Sequence, residues 1–519
     1  MNNWPIEAKV GQMMMFGFSG TTVPDYIRTF IQECNLGGII MFSRNIENAA
    51  QILELNSTLQ RLALDSPFGV GLFISIDQEG GQVIRIKDGV SVSPAAMAIG
   101  ALGSPDRAYQ IGRVVGEELA SLGFSINLAP CVDVNNNPHN PVIGVRSFGE
   151  DPELVAALGE AIIKGLQESV LATAKHFPGH GDTAVDSHYG LPVVNHTRDR
   201  LDKVELCPFR SAIAGGVQGI LSSHVVFPTI EPIPGRPASL SHPVLTGLLR
   251  NELGYQGLVL TDCMEMQAVT NQFSMEEAAI LAVEAGNDMV LVSHTQELQE
   301  KAFWAVVEAV KKGRIPEERI NESLARIAAA KQRFVKWPFP DKSVGSPENQ
   351  ALMEDAYGDS ITVVKGSEYI PLPDVPITVI EVKHTAASLA EEQVGDGFSL
   401  SQALADLGAE VRPFYVSAEV SEEEYKKIIE HVRPNDLVVI ATQDAHRFPN
   451  QANLVNYVVQ NCPQHIVVGT RTPYELAAFP EARAYLVLYS NRPEALRQGA
   501  AVVLGRRPAV GRLPVSIPN

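Results

Sequence analysis

Residues 171–227 read LATAKHFPGHGDTAVDSHYGLPVVNHTRDRLDKVELCPFRSAIAGGVQGILSSHVVF. An apolar run, LATAKHF, is followed by a long loop rich in Gly and His, then a helical period over 199–215, then a second apolar run, GILSSHVVF. Strands that are apolar throughout, separated by a helix, are the mark of a parallel β-α-β unit buried on both faces. Working outward, the same alternation recurs. MMMFGF (13–18), GGIIMF (37–42), GLFISID (71–77) and INLAP (126–130) precede it, and GLVLTD (257–262) and NDMVLVS (287–293) follow. Helical segments at 48–64, 105–121, 152–169 and 295–313 fall between the runs. Eight such strands in this order predict an α/β fold, a (β/α)8 TIM-type barrel over residues 1–335. A dinucleotide-binding sheet would need G-x-G-x-x-G after an early strand, and none occurs there.

Over 336–355 the periodicity lapses into Pro, Gly, Ser and charge, which predicts a linker. ITVIEV, DLVVIAT, HIVVGT and AYLVLY then alternate with helical stretches such as SLSQALADLG and SEEEYKKIIEHV. Residues 356–519 are therefore expected to form a smaller C-terminal α/β sandwich domain.

Composition narrows the function classes. Hydrophobic residues at 45% and charged residues at 19% describe a globular chain. A net charge of -19, from 41 basic and 60 acidic side chains without a basic block, argues against nucleic acid and anionic membrane as partners. Five scattered cysteines, never as C-x-x-C, indicate neither a disulfide framework nor a zinc site. The start, MNNWPIEAKVGQMMMFGFSG, lacks the basic and small-residue regions of a secretion signal and reads as a helix entering a strand, so a cytoplasmic location is expected. Oligomeric state is not legible.

In a barrel the chemistry sits where strands end. Here the third strand ends in Asp77, with Arg85 shortly after, the fifth in Lys175 and His176, the sixth in Ser223 and His224, and the seventh in Asp262. One such residue is readily a helix cap; four strand ends facing one rim describe a polar pocket. Within the long loop, zinc held by His176, His180 and Asp182 is one reading, disfavoured because Pro178 prevents the helix that would align the two imidazoles. The other is proton transfer, with Asp186 orienting and charge-stabilising His188 across Ser187. Asp262, at the barrel mouth with the cations Lys175, Arg85 and Arg146 as expected neighbours, would stay ionised, as attack on an anomeric carbon requires.

IDQEGG (76–81) with Arg85, VIGVRSFGEDP (142–152), KHFPGHGDTAVDSHYGLP (175–192), LTDCMEM (260–266) and the closing GRLPVSIP (511–518) together resemble glycoside hydrolase family 3. The resemblance is to its β-N-acetylglucosaminidases, typified by enzymes of peptidoglycan recycling. It implies a retaining glycosidase without cofactor or metal, acting on a terminal β-linked N-acetylglucosamine of an oligosaccharide or muropeptide. By the same resemblance Asp262 is the nucleophile, and His188 held by Asp186 is the acid and base. Asp77, Arg85, Arg146, Lys175 and His176 grip the sugar, with His180 and His224 in support. Phosphorolysis, a broad β-glucosidase activity and a sugar-binding protein without catalysis are the competing readings. The loop is expected to close over substrate before His188 acts.

Overall fold

The computed structural model describes residues 4–383, 385, 386, 388, 391 and 397–518. Eight strands form the first sheet: β1 (Met14–Phe16), β2 (Gly38–Met41), β3 (Phe73–Ile76), β4 (Ile126–Asn127), β5 (Leu171–Phe177), β6 (Gly219–Ser222), β7 (Leu258–Thr261) and β8 (Val290–Val292). They pair in the order β7-β6-β5-β4-β3-β2-β1-β8, every pair parallel. The bridge between Leu260 and Met289 joins the two ends, and Met264 N donates to Leu291 O at 2.9 Å, so the ring closes. Every residue of these strands is buried, which is why the sequence shows unbroken apolar runs instead of alternation.

Two expected elements differ in detail. The helix over 199–215 is split into Arg198–Lys203 and Cys207–Ala214, because Pro208 cannot donate to a carbonyl one turn back. The expected linker, 336–355, is docked and partly helical. A helix spans Pro347–Ser360, started by Ser346 Oγ accepting from Asn349 N and by Pro347 in its first turn. Its Tyr357 is fully buried and donates to Ser93 O at 2.9 Å, fastening the segment to the barrel.

The second sheet contains β9 (Thr362–Lys365), β10 (Ile377–Val382), β11 (Val411–Val416), β12 (Leu437–Thr442), β13 (His465–Gly469) and β14 (Tyr485–Val487), in the order β11-β10-β12-β13-β14-β9. All neighbours are parallel except β9, which runs antiparallel to β14. Separate apolar clusters cover its two faces, giving an α/β sandwich. β9 and β11, absent from the sequence reading, are the sheet edges. Edge strands tolerate polar residues and proline, as VRPFYV shows with Pro413.

At the N-terminal end of the barrel, Lys331 is buried with its Nζ donating to Gln12 Oε1 at 2.9 Å and no carboxylate among its bonded partners. Burial pushes its pKa down to about 7. The unfolded chain therefore holds a proton that the fold does not hold between the ordinary lysine pKa and pH 7, and lowering the pH across that window destabilises the native state. We expect Lys331→Met to flatten the rise of stability between pH 7 and 10 by about 3 to 5 kcal/mol. Denaturant unfolding of parent and variant at each pH checks this, and parallel curves would refute it.

Candidate active site

The strand ends and the loops beyond them converge on a cleft of about 640 Å³ at the C-terminal mouth of the barrel, within the range of small-molecule sites. Asp77, Arg85, Arg146, Lys175, His176, His180, His188 and Asp262 all line it. The register between β5 and β6 shifts between Lys175 and Phe177, breaking strand alternation, so that the adjacent Lys175 and His176 both face the cleft.

Its floor is a buried charge network centred on Glu79, a residue of the IDQEGG stretch to which the sequence reading gave no role of its own. Arg146 grips Glu79 with both arms, Nε to Oε2 at 2.9 Å and Nη2 to Oε1 at 2.7 Å. Lys175 Nζ lies 2.6 Å from Glu79 Oε1 and 2.8 Å from Asp77 Oδ1, and Arg85 reaches Asp77 at 3.7 Å. Burial favours the neutral form of Glu79, but Arg146 and Lys175 outweigh it and hold the carboxyl well below the usual range. Arg146 and Lys175 are correspondingly held charged, against the desolvation that opposes both.

A second buried carboxylate, Asp133, organises the histidines. Its Oδ2 is 2.7 Å from His176 Nδ1, and the backbone N–H groups of His176 and His180 donate to it. Desolvation opposes its ionisation, yet His176 and these bonds leave its pKa at about 2. With Nδ1 committed to Asp133, His176 presents Nε2 to the cleft, 3.4 Å from Arg146 Nη2. His180 is turned away from solvent: its ring nitrogens meet Thr183 Oγ1 at 2.8 Å and Ser187 Oγ at 3.1 Å, and burial lowers its pKa to about 4. Asn140 ties the start of this loop to the neighbouring one, donating to the carbonyls of His180 and Gly181.

Asp182, considered as a zinc ligand, pairs instead with His196 at 2.6 Å, so the triad His176, His180 and Asp182 is not assembled. Cys131, Asp133 and His176 do lie within 4.8 Å of one another. Cys131 Sγ already donates to Asp133 Oδ2 at 3.2 Å, the oxygen that His176 Nδ1 also meets, and burial raises the Cys131 thiol well above its ordinary pKa.

His188 Nδ1 is 2.7 Å from Asp186 Oδ1, and the same oxygen accepts the His188 backbone N–H at 2.9 Å. Asp186 is buried and its pKa lowered: desolvation opposes this, but the bonds to His188 prevail. The His188 side chain keeps 23% of its exposure, so the opposite ring nitrogen can meet a ligand. Ser187 pins the loop between them, through His180 and through its carbonyl, which accepts from Ala268 N at 3.3 Å.

Asp262 sits across the mouth, its Oδ1 accepting the Cys263 N–H at 2.7 Å. Its pKa is lowered, but not by the cations expected from the sequence. Burial acts against ionisation, and His224, His176, the Cys263 N–H and His188 overcome it. Lys175, Arg85 and Arg146 are engaged with Asp77 and Glu79 instead. His224 donates Nε2–H to Cys263 O at 2.9 Å, its Nδ1 lies 2.7 Å from the Ser239 hydroxyl, and burial lowers its pKa although Asp262 opposes this. Arg44 and His294, also missed, line the cleft as well.

One ionised carboxylate at a barrel mouth and one imidazole held by a second carboxylate are the kinds of group that nucleophilic attack and proton transfer require. Residues 5–330 match the model of the glycosyl hydrolase family 3 N-terminal domain. The chain belongs to glycosyl hydrolase family 3. It is a glycoside hydrolase, 32% identical over 557 residues to β-hexosaminidase A of Pseudoalteromonas piscicida, covering 96% of this chain and 92% of that protein. A β-hexosaminidase of Nitrosomonas eutropha is 37% identical over 54% of this chain and 80% of its own length. The structure of a family 3 β-N-acetylglucosaminidase from Paenibacillus sp. str. FPU-7 superposes with a TM-score of 0.93 at 41% identity, covering 99% of both chains.

Glu79→Gln leaves Arg146 and Lys175 buried beside a neutral amide. Breaking one partner of a buried pair costs about 3 to 5 kcal/mol. We expect a lower unfolding free energy at pH 7 and loss of sugar affinity together. The difference between parent and variant should shrink as pH falls through the ordinary glutamate range towards the depressed native pKa, because the Glu79 contribution is lost there. Unchanged stability at pH 7 would contradict the network's assigned weight.

Proposed function

We propose that this family 3 enzyme is a retaining exo-β-N-acetylglucosaminidase that releases terminal non-reducing N-acetylglucosamine. The pairing of His188 Nδ1 with the buried Asp186 carboxylate, in the cleft that also holds Asp262, carries the reading. Asp186 keeps the proton on Nδ1 and stabilises the imidazolium, leaving Nε2–H to protonate the glycosidic oxygen. Asp262 attacks the anomeric carbon as that bond breaks, forming a glycosyl-enzyme. Neutral His188 then takes a proton from water, which attacks the same carbon and frees Asp262. Asp77, Arg146, Lys175 and His176 hold the sugar, with Arg85 anchoring Asp77. The similarity to the Paenibacillus β-N-acetylglucosaminidase over the full chain supports N-acetylglucosamine as the sugar. Cell-wall fragments are the proposed natural source of that sugar, with chitooligosaccharides as the alternative. Five free cysteines suit a reducing compartment, in keeping with a cytoplasmic location.

Because the acid and base is an imidazole, an incoming phosphate would not meet the repulsion that a carboxylate presents, which keeps phosphorolysis as a second reading. Turnover with and without phosphate, assayed for sugar 1-phosphate, separates the two, and we expect rates independent of phosphate.

With an activated aryl β-N-acetylglucosaminide, His188→Ala should give a rapid burst of aryl alcohol followed by turnover slowed about 10²- to 10⁴-fold. Asp262→Asn should abolish both phases. A 2-fluoro sugar should leave a covalent adduct on the peptide containing Asp262, and an adduct on another residue would overturn the nucleophile assignment.

A further inference from the structure

The segment between β4 and the helix Pro152–Leu166 carries Arg146, which lines the cleft, and Asp133, which holds the His176 ring there from behind. Its other side is covered by the second domain. Asn135 Nδ2 donates to the Tyr474 hydroxyl at 2.7 Å, with Asn135 1% and Tyr474 2% exposed. Val145, next to Arg146 in the chain, is fully enclosed in the apolar cluster that includes Ile380, Ile440 and Tyr474 of the sandwich. At Gly144, φ is +45°, and a side chain there would lie 3.5 Å from Thr472 Cγ2 and 3.9 Å from the Arg471 guanidinium. Arg471 is itself fixed by ion pairs to Asp444 and Glu391, and Thr472 bonds to Asp444. The closing GRLPVSIP segment holds the far end: Glu150 N donates to Pro514 O at 3.2 Å.

We propose that the second domain is a positioning element for the sugar-gripping groups. Tyr474 is its principal contact, locking the Asn135–Val145 stretch and thereby the placement of Asp133 and Arg146. The chain connection is short. Asn135 is two residues from Asp133, which sets the His176 ring, and Val145 directly precedes Arg146, which joins Glu79 to that ring. Tyr474 touches neither substrate nor the reacting atoms. Its hydroxyl acts on the ground-state grip of the sugar, so its loss should weaken binding of substrate and transition state alike. The proposal rests on the reading that Arg146 and His176 hold the sugar.

The test uses the full chain, with kcat and KM for an aryl β-N-acetylglucosaminide, inhibition by free N-acetylglucosamine, and Tm. Tyr474→Phe removes one oxygen and keeps the packed ring. It should raise KM and the inhibition constant roughly 3- to 30-fold, with kcat within about threefold of the parent. Asn135→Ala should do the same. The double variant should be no worse than the poorer single one, since both remove one interaction. A fall in Tm with the inhibition constant within about twofold of the parent would overturn the proposal, as would losses that multiply in the double variant. If Tyr474→Phe does not fold, Asn135→Ala decides by the same inhibition constant. The parent, assayed alongside on aryl glucoside and aryl N-acetylglucosaminide, reports separately on the sugar. A preference for glucose would replace the inhibitor used and leave the expected ratio unchanged.

Discussion

Arg146 and Lys175 bring two positive charges into a buried floor, and Glu79 lies between them. Neither cation could be held there alone. Desolvation would drive lysine to its neutral form, and buried arginine would destabilise the fold. The shared carboxylate makes the burial possible, and Asp77 extends the network to the cleft surface, where one side of it remains open to a ligand. The arrangement joins the loops after β3 and β4 to the end of β5, so three parts of the ring are set relative to one another by the groups that line the site. Stability and site geometry thus depend on the same contacts.

The parallel ring makes this placement possible. Strands buried on both faces leave polar side chains no place within the sheet, and the loops at its C-terminal end collect them. That also explains why much of the site is legible in sequence. Asp77, Lys175, His176 and Asp262 each directly follow or close an apolar run, and Asp186 with His188 lies in a loop too long and too polar to be a simple connection. Arg146 follows no apolar run, since it sits on a short turn, Gly144–Arg146, well past the end of β4, and its place in the sugar site came through the family resemblance.

Glu79 and Asp133 escaped notice for a related reason. Glu79 stands two residues beyond Asp77 in a run that reads as loop, and its importance lies in partners 67 and 96 positions away, Arg146 and Lys175. Asp133 is defined by backbone donors of His176 and His180, which no side-chain pattern records. The expectation that cations hold Asp262 ionised failed in the same way. It counted charges near strand ends without their pairings, and paired cations project little field beyond their partners. The docked helix after the barrel and the two edge strands of the sandwich were obscured by polar composition, which in both cases marks one solvent-facing side of a packed element and not an unstructured chain.

The two carboxylate-histidine pairs at the cleft show how environment separates like groups. Asp133 and His176 are both buried, the acid with its oxygens filled by four donors, and this pair is fixed in place. Asp186 and His188 have the same 2.7 Å contact, but the imidazole keeps an exposed edge. A rigid, saturated pair suits recognition of a bound sugar, whereas proton transfer needs a ring nitrogen that is free to meet first a departing oxygen and then water. His180 lies between the two pairs with both nitrogens bonded and its pKa lowered to about 4. A charged imidazole there would repel positive charge on either neighbouring ring, and its low pKa removes that repulsion.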